Sequence, residues 1–308
     1  MEIALQFVLL ALGFVMLGKG ADWFVEGAAG IAMRFGIPQL VIGLTIVAMG
    51  TSAPEAAVSI AAAVKGNADI TIGNIVGSNI LNILVILGLA ASIVPIAVAR
   101  STVRIEIPFM IGVTALLFYQ GRDGSISLAD GGVLMVAFAV YMMYLYTMAM
   151  KSNVDSDLEE PGLPLGRCLL GAVGGLALII AGSNVTVGAA TSIATYAGLS
   201  ERFIGLTIVA LGTSLPELFT SVAAARRGNA DIAIGNIVGS NIFNILFVVG
   251  LSALIIDIPF ASAFNFDTYV ALGAAVLLLL CVLRTQKLQR WAGALMLVCY
   301  AAYLGYIL

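Results

Sequence analysis

The sequence predicts an all-α integral membrane protein, with ten transmembrane helices in two inverted five-helix repeats and breaks in helices 2 and 7. Three observations predict it. Hydrophobic residues make up 61% of the 308, charged residues only 10%, and the mean hydropathy is +1.09. Soluble domains carry roughly a quarter charged residues and could not hide this much apolar surface. Apolar stretches long enough to span a bilayer recur along the whole chain. One long block of sequence also occurs twice, an odd number of helices apart.

The first stretch begins at residue 3. Glu2 is acidic and no Lys or Arg precedes Lys19, so the positive region of a secretory signal is missing. The stretch therefore reads as a first helix, running to about Met33, which must tilt or extend past the membrane surface. The others fall near 37–66, 69–93, 102–120, 128–150, 165–197, 202–227, 231–256, 267–284 and 288–308. Gly36 and Pro38, Gly66 and Asn67, Gly121 and Gly124, and Gly228 and Asn229 punctuate them. The one clearly polar connection, 151–164, carries Asp155, Asp157, Glu159 and Glu160. It divides the first repeat, 1–150, from the second, 165–308, and is too short for a regulatory domain. Helices 4, 5, 9 and 10 read as scaffold. Glu106 and Asp257, near helix ends, read as solvated. Asp22, Glu26 and Arg34 read as interfacial, with the lining of an ion path as the alternative, and Trp23 and Trp291 read as interface anchors.

Positive charge sets the orientation. With the N-terminus outside, Arg34, Arg100, Arg104, Lys151, Arg167, Arg226, Arg227, Arg284, Lys287 and Arg290 fall on the cytoplasmic side. Only Lys65, Arg122 and Arg202 fall outside. Both termini are then expected outside the cytoplasm.

Residues 41–89 and 203–251 align without a gap at an offset of 162, and 35 of 49 positions are identical. Five helices separate the copies, so they lie in opposite orientations. Inverted repeats are the architecture of secondary transporters, whose sites lie near the midplane where the copies meet. Repeats kept only for packing would drift in their polar residues, and here those residues match best.

Each copy has two polar clusters. The first, GTSAPE ending at Glu55 and GTSLPE ending at Glu217, sits midway along an apolar stretch. Pro54 and Pro216 lack an N–H and clash with the preceding turn, so the helix should break there. Such a break is tolerated at membrane depth only where it lines a cavity or meets protein. It exposes carbonyls around Ala48–Thr51 and Ala210–Thr213, the negative ends of half-helices, which suit a cation. Glu55 and Glu217 are the only acids expected near mid-membrane, where a charge costs roughly 2.5–3.5 kcal/mol on insertion scales. No Lys or Arg shares their depth, so a mobile ion is the expected partner. In the second cluster Asn74, Ser78 and Asn82 recur every four residues on one helix face, as do Asn236, Ser240 and Asn244. Ser78, Asn82, Ser240 and Asn244 read as site-lining. Asn74 and Asn236 read equally as site residues or as hydrogen-bond glue between helices.

The donor set is carboxylate, amide, hydroxyl and carbonyl oxygen. It fits a hard cation such as Ca²⁺ or Na⁺, not zinc or copper, and suits Mg²⁺ less. Histidine is absent, which removes His-ligated metals and Ser–His catalysis. Neither HExxH nor a phosphate-binding glycine loop occurs, so no enzyme and no cofactor is expected. Cys168, Cys281 and Cys299 read as small hydrophobes. A net charge of −3 without a basic run argues against nucleic acid as a partner; the lipid bilayer is the expected one.

These motifs resemble the paired alpha-repeats of the calcium/cation antiporter superfamily, and within it the prokaryotic sodium/calcium exchangers. GTSxPE and GNxxGSN each occur twice at that family's spacing. The resemblance implies alternating access, with helices 1 and 6 sliding against a core of helices 2–5 and 7–10. It implies Glu55 and Glu217 as central calcium ligands. It further implies supporting roles for the carbonyls of Ala48, Ala210, Thr51 and Thr213, and for Ser52, Ser78, Asn82, Ser214, Ser240 and Asn244. Some members carry Asp where this chain has Asn244, which leaves the number of sodium ions open. It also implies a prokaryotic inner membrane, and the chain is expected to work as a monomer.

The expected activity is thus Na⁺/Ca²⁺ exchange, with both ions sharing the two glutamates. A Ca²⁺/H⁺ antiporter of the same superfamily is the alternative, since each Glu could release a proton to admit Ca²⁺. A potassium-assisted exchanger and a cation channel rank lower; channels usually close a pore by oligomeric symmetry, whereas this symmetry lies within one chain.

Overall fold

The computed structural model describes residues 2–66, 68–152, 163–198 and 210–307. The polar connection expected at 151–164 and the start of the second copy at 203–209 lie largely outside them. The first half runs α1 (Glu2–Arg34), α2 (Gln39–Thr51), α3 (Ala53–Val64), α4 (Ile70–Ile93), β1 (Ile96–Ala97), α5 (Thr102–Asp123), β2 (Ser125–Ile126) and α6 (Leu128–Lys151). The second half repeats the order: α7 (Leu165–Tyr196), α8 (Ala210–Thr213), α9 (Leu215–Arg226), α10 (Ala230–Ile255), β3 (Ile258–Pro259), α11 (Ala263–Val282), β4 (Lys287–Leu288) and α12 (Arg290–Ile307). Among the described residues eight helices are long and apolar enough to cross a bilayer, and the bent pair α2 and α3 makes a ninth span. The pair α8 and α9 stands where the tenth is expected.

The inversion can be read from two short antiparallel ladders. Ile96 pairs with Leu288 and Ala97 with Lys287, so β1 and β4 share one end of the molecule. Ser125 pairs with Pro259 and Ile126 with Ile258, so β2 and β3 share the other. The sequence counterpart of β1 is β3, and it lies at the opposite end. Repeats of equal orientation would have put them together.

Burial is concentrated in α4 and α10, whose most apolar segments are 78% and 83% buried, against 17% for α1, α6 and α12. Each half thus gives one unbroken helix to the centre, while α1, α6 and α12 are the most exposed of these spans. The long helices α1 and α7, 33 and 32 residues, lie antiparallel against each other. At about 1.5 Å per residue each outruns a hydrocarbon core of about 30 Å, long enough to tilt or to extend past the membrane surface. Glycines set their separation: a Cβ on Gly175 would sit 2.5 Å from the Phe24 nitrogen and 2.7 Å from the Gly20 carbonyl oxygen. Such small-residue contacts let membrane helices approach backbone to backbone.

One sequence expectation is corrected here. Glu106 is fully buried rather than solvated. The start of α5 is covered by α6, whose Tyr144 hydroxyl donates to its carboxylate. Asp257 is exposed as expected and accepts the Leu128 N–H at 3.2 Å.

Candidate ion-binding site

The two helix breaks fall at equivalent serines. Ser52 (φ −81°, ψ 5°) and Ser214 (φ −89°, ψ 2°) leave the helical path, and Pro54 and Pro216 open the following half-helices. At the first of these breaks the chain bends by 52°. Glu55 and Glu217 therefore stand in the first turns of α3 and α9, where the half-helix dipole favours negative charge. Both are 1% exposed.

The breaks brace each other across the repeats. The Ser52 hydroxyl donates to Glu217 Oε1 at 2.7 Å, and the Ser214 hydroxyl donates to Glu55 Oε1 at 3.3 Å. Thr51 lies beside Glu217 and Thr213 beside Glu55. The Asn74 amide donates to the Glu55 carbonyl at 3.4 Å and to Ser59 Oγ at 2.9 Å. Its counterpart Asn236 donates to the Glu217 carbonyl at 3.4 Å and to Ser221 Oγ at 2.9 Å. The Asn236 oxygen accepts Thr51 Oγ1 at 3.0 Å, so its amide is spent on bonds between helices. Glue is what these contacts describe.

A second set of asparagines closes the centre. Asn79 donates to the Asn241 carbonyl at 3.2 Å, and Asn241 returns the bond to the Asn79 carbonyl at 3.1 Å. Asn82 Nδ2 donates to Asn241 Oδ1 at 2.9 Å, and Asn244 Nδ2 to Asn79 Oδ1 at 3.1 Å. With their nitrogens held, Asn82 and Asn244 turn their oxygens the other way. Each begins a π-helical turn, Asn82–Leu87 or Asn244–Val249, a widening common at functional sites. The half-helix carrying Glu55 packs on the turn that begins at Asn244, and the one carrying Glu217 on the turn that begins at Asn82.

Four buried oxygens in this centre have no hydrogen-bond partner: Glu55 Oε2, Glu217 Oε2, Asn82 Oδ1 and Asn244 Oδ1. They form two equivalent pairs. An unsatisfied buried acceptor costs about 1–3 kcal/mol, and more when charged. Among the described residues no ion pair offsets them; the pairs found join Arg227 to Asp22 and Glu26. Nor does a cluster of three or more acidic, His or Cys side chains occur among those residues. The centre is two carboxylates ringed by neutral oxygen.

The remaining expected residues are placed as follows. Ser78 and Ser240 are buried, and Ser240 Oγ donates to the Ala48 carbonyl at 3.3 Å. That carbonyl also accepts the Ser52 N–H at 3.0 Å and the Thr51 hydroxyl at 3.3 Å. Sequence reasoning left it open for an ion. In this conformation it is taken, because the break falls after Ser52 and not before it. Of Ala210 only the backbone, opening α8, is described. The carbonyls that Pro54 and Pro216 deprive of a donor are those of Gly50 and Gly212. Ser183 of α7 donates to the Gly212 carbonyl at 2.7 Å, while the equivalent place on α1 is Ala21, which cannot. Sequence reasoning singled out neither Ser183 nor the pairs Ser59 and Ser221, Asn79 and Asn241. The last two pairs were visible as identical columns of the repeat; Ser183 left no signal.

Crossed broken helices from inverted repeats, meeting at a buried oxygen-lined centre, define a secondary transporter for small ions. The comparisons agree. The family model described as Sodium/calcium exchanger protein matches residues 5–147 and 168–308, and the chain belongs to that family of membrane antiporters. The sodium/calcium exchanger MaX1 of Methanosarcina acetivorans is 33% identical, over 98% of both chains. Inner membrane protein YrbG of Escherichia coli K12 is 39% identical, over 94% of this chain and 92% of that protein. Among solved structures, the sodium-calcium exchanger NCX_Mj soaked with Na⁺ and Sr²⁺ superposes with a TM-score of 0.86 at 34% identity. That match covers 98% of this chain and 99% of the other.

Proposed function

We propose that this protein exchanges Na⁺ for Ca²⁺ by alternating access, with Glu55 and Glu217 shared by both ions. One observation carries the reading: the four unpartnered oxygens of Glu55, Glu217, Asn82 and Asn244, buried without a protein cation. Ser52, Ser214, Thr51, Thr213, Ser78, Ser240 and the backbone at Ala48 and Ala210 form the surround that completes the shell as the breaks adjust. All donors are oxygen, the chemistry of a hard cation.

Charge arithmetic supplies the coupling. The ion-free centre carries −2, and an uncompensated charge of that size is costly to enclose in a dry, occluded state. One Ca²⁺ neutralises it, two Na⁺ also do, and three leave +1. Loaded forms cross more easily than the ion-free form, so transport is obligatory exchange. The halves 1–150 and 165–308, joined through 151–164, provide the two-fold frame. The glycine-lined pair α1 and α7 is the unit that slides.

The β1–β4 end gathers Arg100, Arg104, Arg284, Lys287 and Arg290 near its strands, against Arg122 near β2. That asymmetry supports a cytoplasmic β1–β4 end and both termini outside. A prokaryotic inner membrane fits the name of the Escherichia coli relative. A single chain suffices, since both halves of the centre come from it.

The test is radiolabelled Ca²⁺ uptake by sodium-loaded liposomes holding the purified protein, diluted into sodium-free buffer with voltage clamped. Uptake that needs internal sodium and ignores a proton gradient supports the reading. Uptake driven by protons alone assigns the glutamates to Ca²⁺/H⁺ antiport instead. Calcium leak with no counter-ion on the far side refutes obligatory exchange.

A further inference from the structure

A second group of buried polar atoms lies away from the centre, at the β1–β4 end. Glu106, in the first turns of α5, is 0% exposed. One of its carboxylate oxygens accepts the Tyr144 hydroxyl of α6; the other, Oε2, has no partner. Two more buried hydroxyls nearby are also unpartnered: Thr102, one turn before Glu106 on α5, and Tyr141, one turn before Tyr144 on α6. The Tyr141 ring stacks on Phe109 at 5.4 Å, which holds it against the α5 turn that follows Glu106. Asp231, partly buried in the first turn of α10, is close enough for its charge to act on Glu106. Among the described residues neither acid has an ion pair with Lys or Arg.

The second repeat meets the same place differently. At the offset of 162, Glu106 corresponds to Thr268, whose hydroxyl donates back to the Phe264 carbonyl at 2.7 Å. The acid there is the neighbouring Asp267, half-buried, which accepts the hydroxyl of Tyr303, the counterpart of Tyr141, at 2.8 Å. Of the two acids, Glu106 is the one fully buried with an unpartnered oxygen.

We propose that Glu106, Thr102 and Tyr141 form a second cation site, on one face of the protein, that takes a single small monovalent cation of the sodium kind. The donors are all oxygen, which suits a hard ion. Oxygens that share a hydrogen lie about 2.5–3.0 Å apart. Oxygens that share an ion of this size, each at roughly 2.3–2.6 Å from it, stand farther from one another. Glu106 Oε2 and the Thr102 and Tyr141 hydroxyls are three neighbouring buried oxygens that an ion could share. Glu106 is the one fully buried carboxylate of the cluster, Asp231 being only partly buried, and a single buried carboxylate balances one positive charge, which favours a monovalent ion over Ca²⁺. The site stands apart from Glu55 and Glu217, so its test removes them.

The full chain carrying Glu55→Gln and Glu217→Gln is purified, and radioactive Na⁺ binding is measured at equilibrium. Its thermal unfolding is followed to show that it is folded. A single saturable Na⁺ site is expected to remain. Adding Glu106→Gln is expected to weaken it by about tenfold or more, since a charged ligand is lost. Tyr141→Phe keeps the ring stack on Phe109 and should weaken it by a smaller factor. No saturable Na⁺ binding in the folded double variant overturns the proposal. So does binding that ignores both Glu106→Gln and Tyr141→Phe.

Discussion

Glu217→Gln isolates the charge of the centre from its shape. Glutamine keeps an oxygen to accept Ser52, which donates to Glu217 Oε1 at 2.7 Å. It replaces the unpartnered Oε2 with an amide nitrogen, which cannot ligate a cation. Removing one partner from a buried charge pair costs about 3–5 kcal/mol. At about 1.4 kcal/mol per factor of ten, Ca²⁺ affinity should fall by roughly two to four powers of ten. The ion-free protein should not suffer, because the variant relieves a buried charge that no ion pair among the described residues balances. The thermal midpoint without calcium is therefore expected to hold or rise, while its rise on adding calcium disappears. Calcium uptake into sodium-loaded liposomes, with voltage clamped, reads the transport side. Undiminished uptake by folded Glu217→Gln protein would refute the reasoning, and so would an intact calcium-dependent shift in its midpoint.

Three further outcomes follow from the contacts described. Asn241→Ala strips partners from the Asn79 carbonyl and the Asn82 amide in the buried centre; it should destabilise by about 2 kcal/mol or more, and an unchanged unfolding midpoint would contradict this. Gly175→Ala places a carbon 2.5 Å from the Phe24 nitrogen and should cripple transport, whereas Gly174→Ala, with nothing within 4 Å, should not; equal activities would remove the case for close α1–α7 contact. Arg227→Gln breaks exposed pairs to Asp22 and Glu26 at 3.2 and 3.1 Å, so its cost should stay within about 1 kcal/mol and vanish at high salt; a larger, salt-independent loss would show that the pair does more than tether α1.

Much of the centre was legible because its chemistry violates its surroundings. A glutamate after a proline, in the middle of an apolar stretch and repeated at Glu217, has few innocent explanations. The breaks at Ser52 and Ser214 followed from the same prolines. Asn79 and Asn241 sat in plain view inside the repeated GNIVGSN, yet their role lies in partners from the opposite copy, and no local pattern names a partner 162 residues away. Ser183 was invisible because one hydroxyl in an apolar helix is ordinary until a proline elsewhere frees a carbonyl for it. Glu106 was misread because charges near helix ends usually meet water, and only the packing of α6 over α5 shows that this one does not. Asp22 and Glu26 read as interfacial, and their common partner Arg227, more than 200 residues on, is not visible in any local pattern.

The reciprocal bracing of the two breaks has a consequence for how the chain is made. Ser214, which holds Glu55, lies 159 residues downstream of it. A ribosome adds about 5–20 residues per second, so Glu55 waits on the order of 10–30 s before its brace is translated. Throughout that interval the nascent first half holds an unbraced acid at membrane depth. The β1 strand waits longer still for β4, which precedes the final helix. Until those last elements arrive, the first half lacks the contacts that complete it.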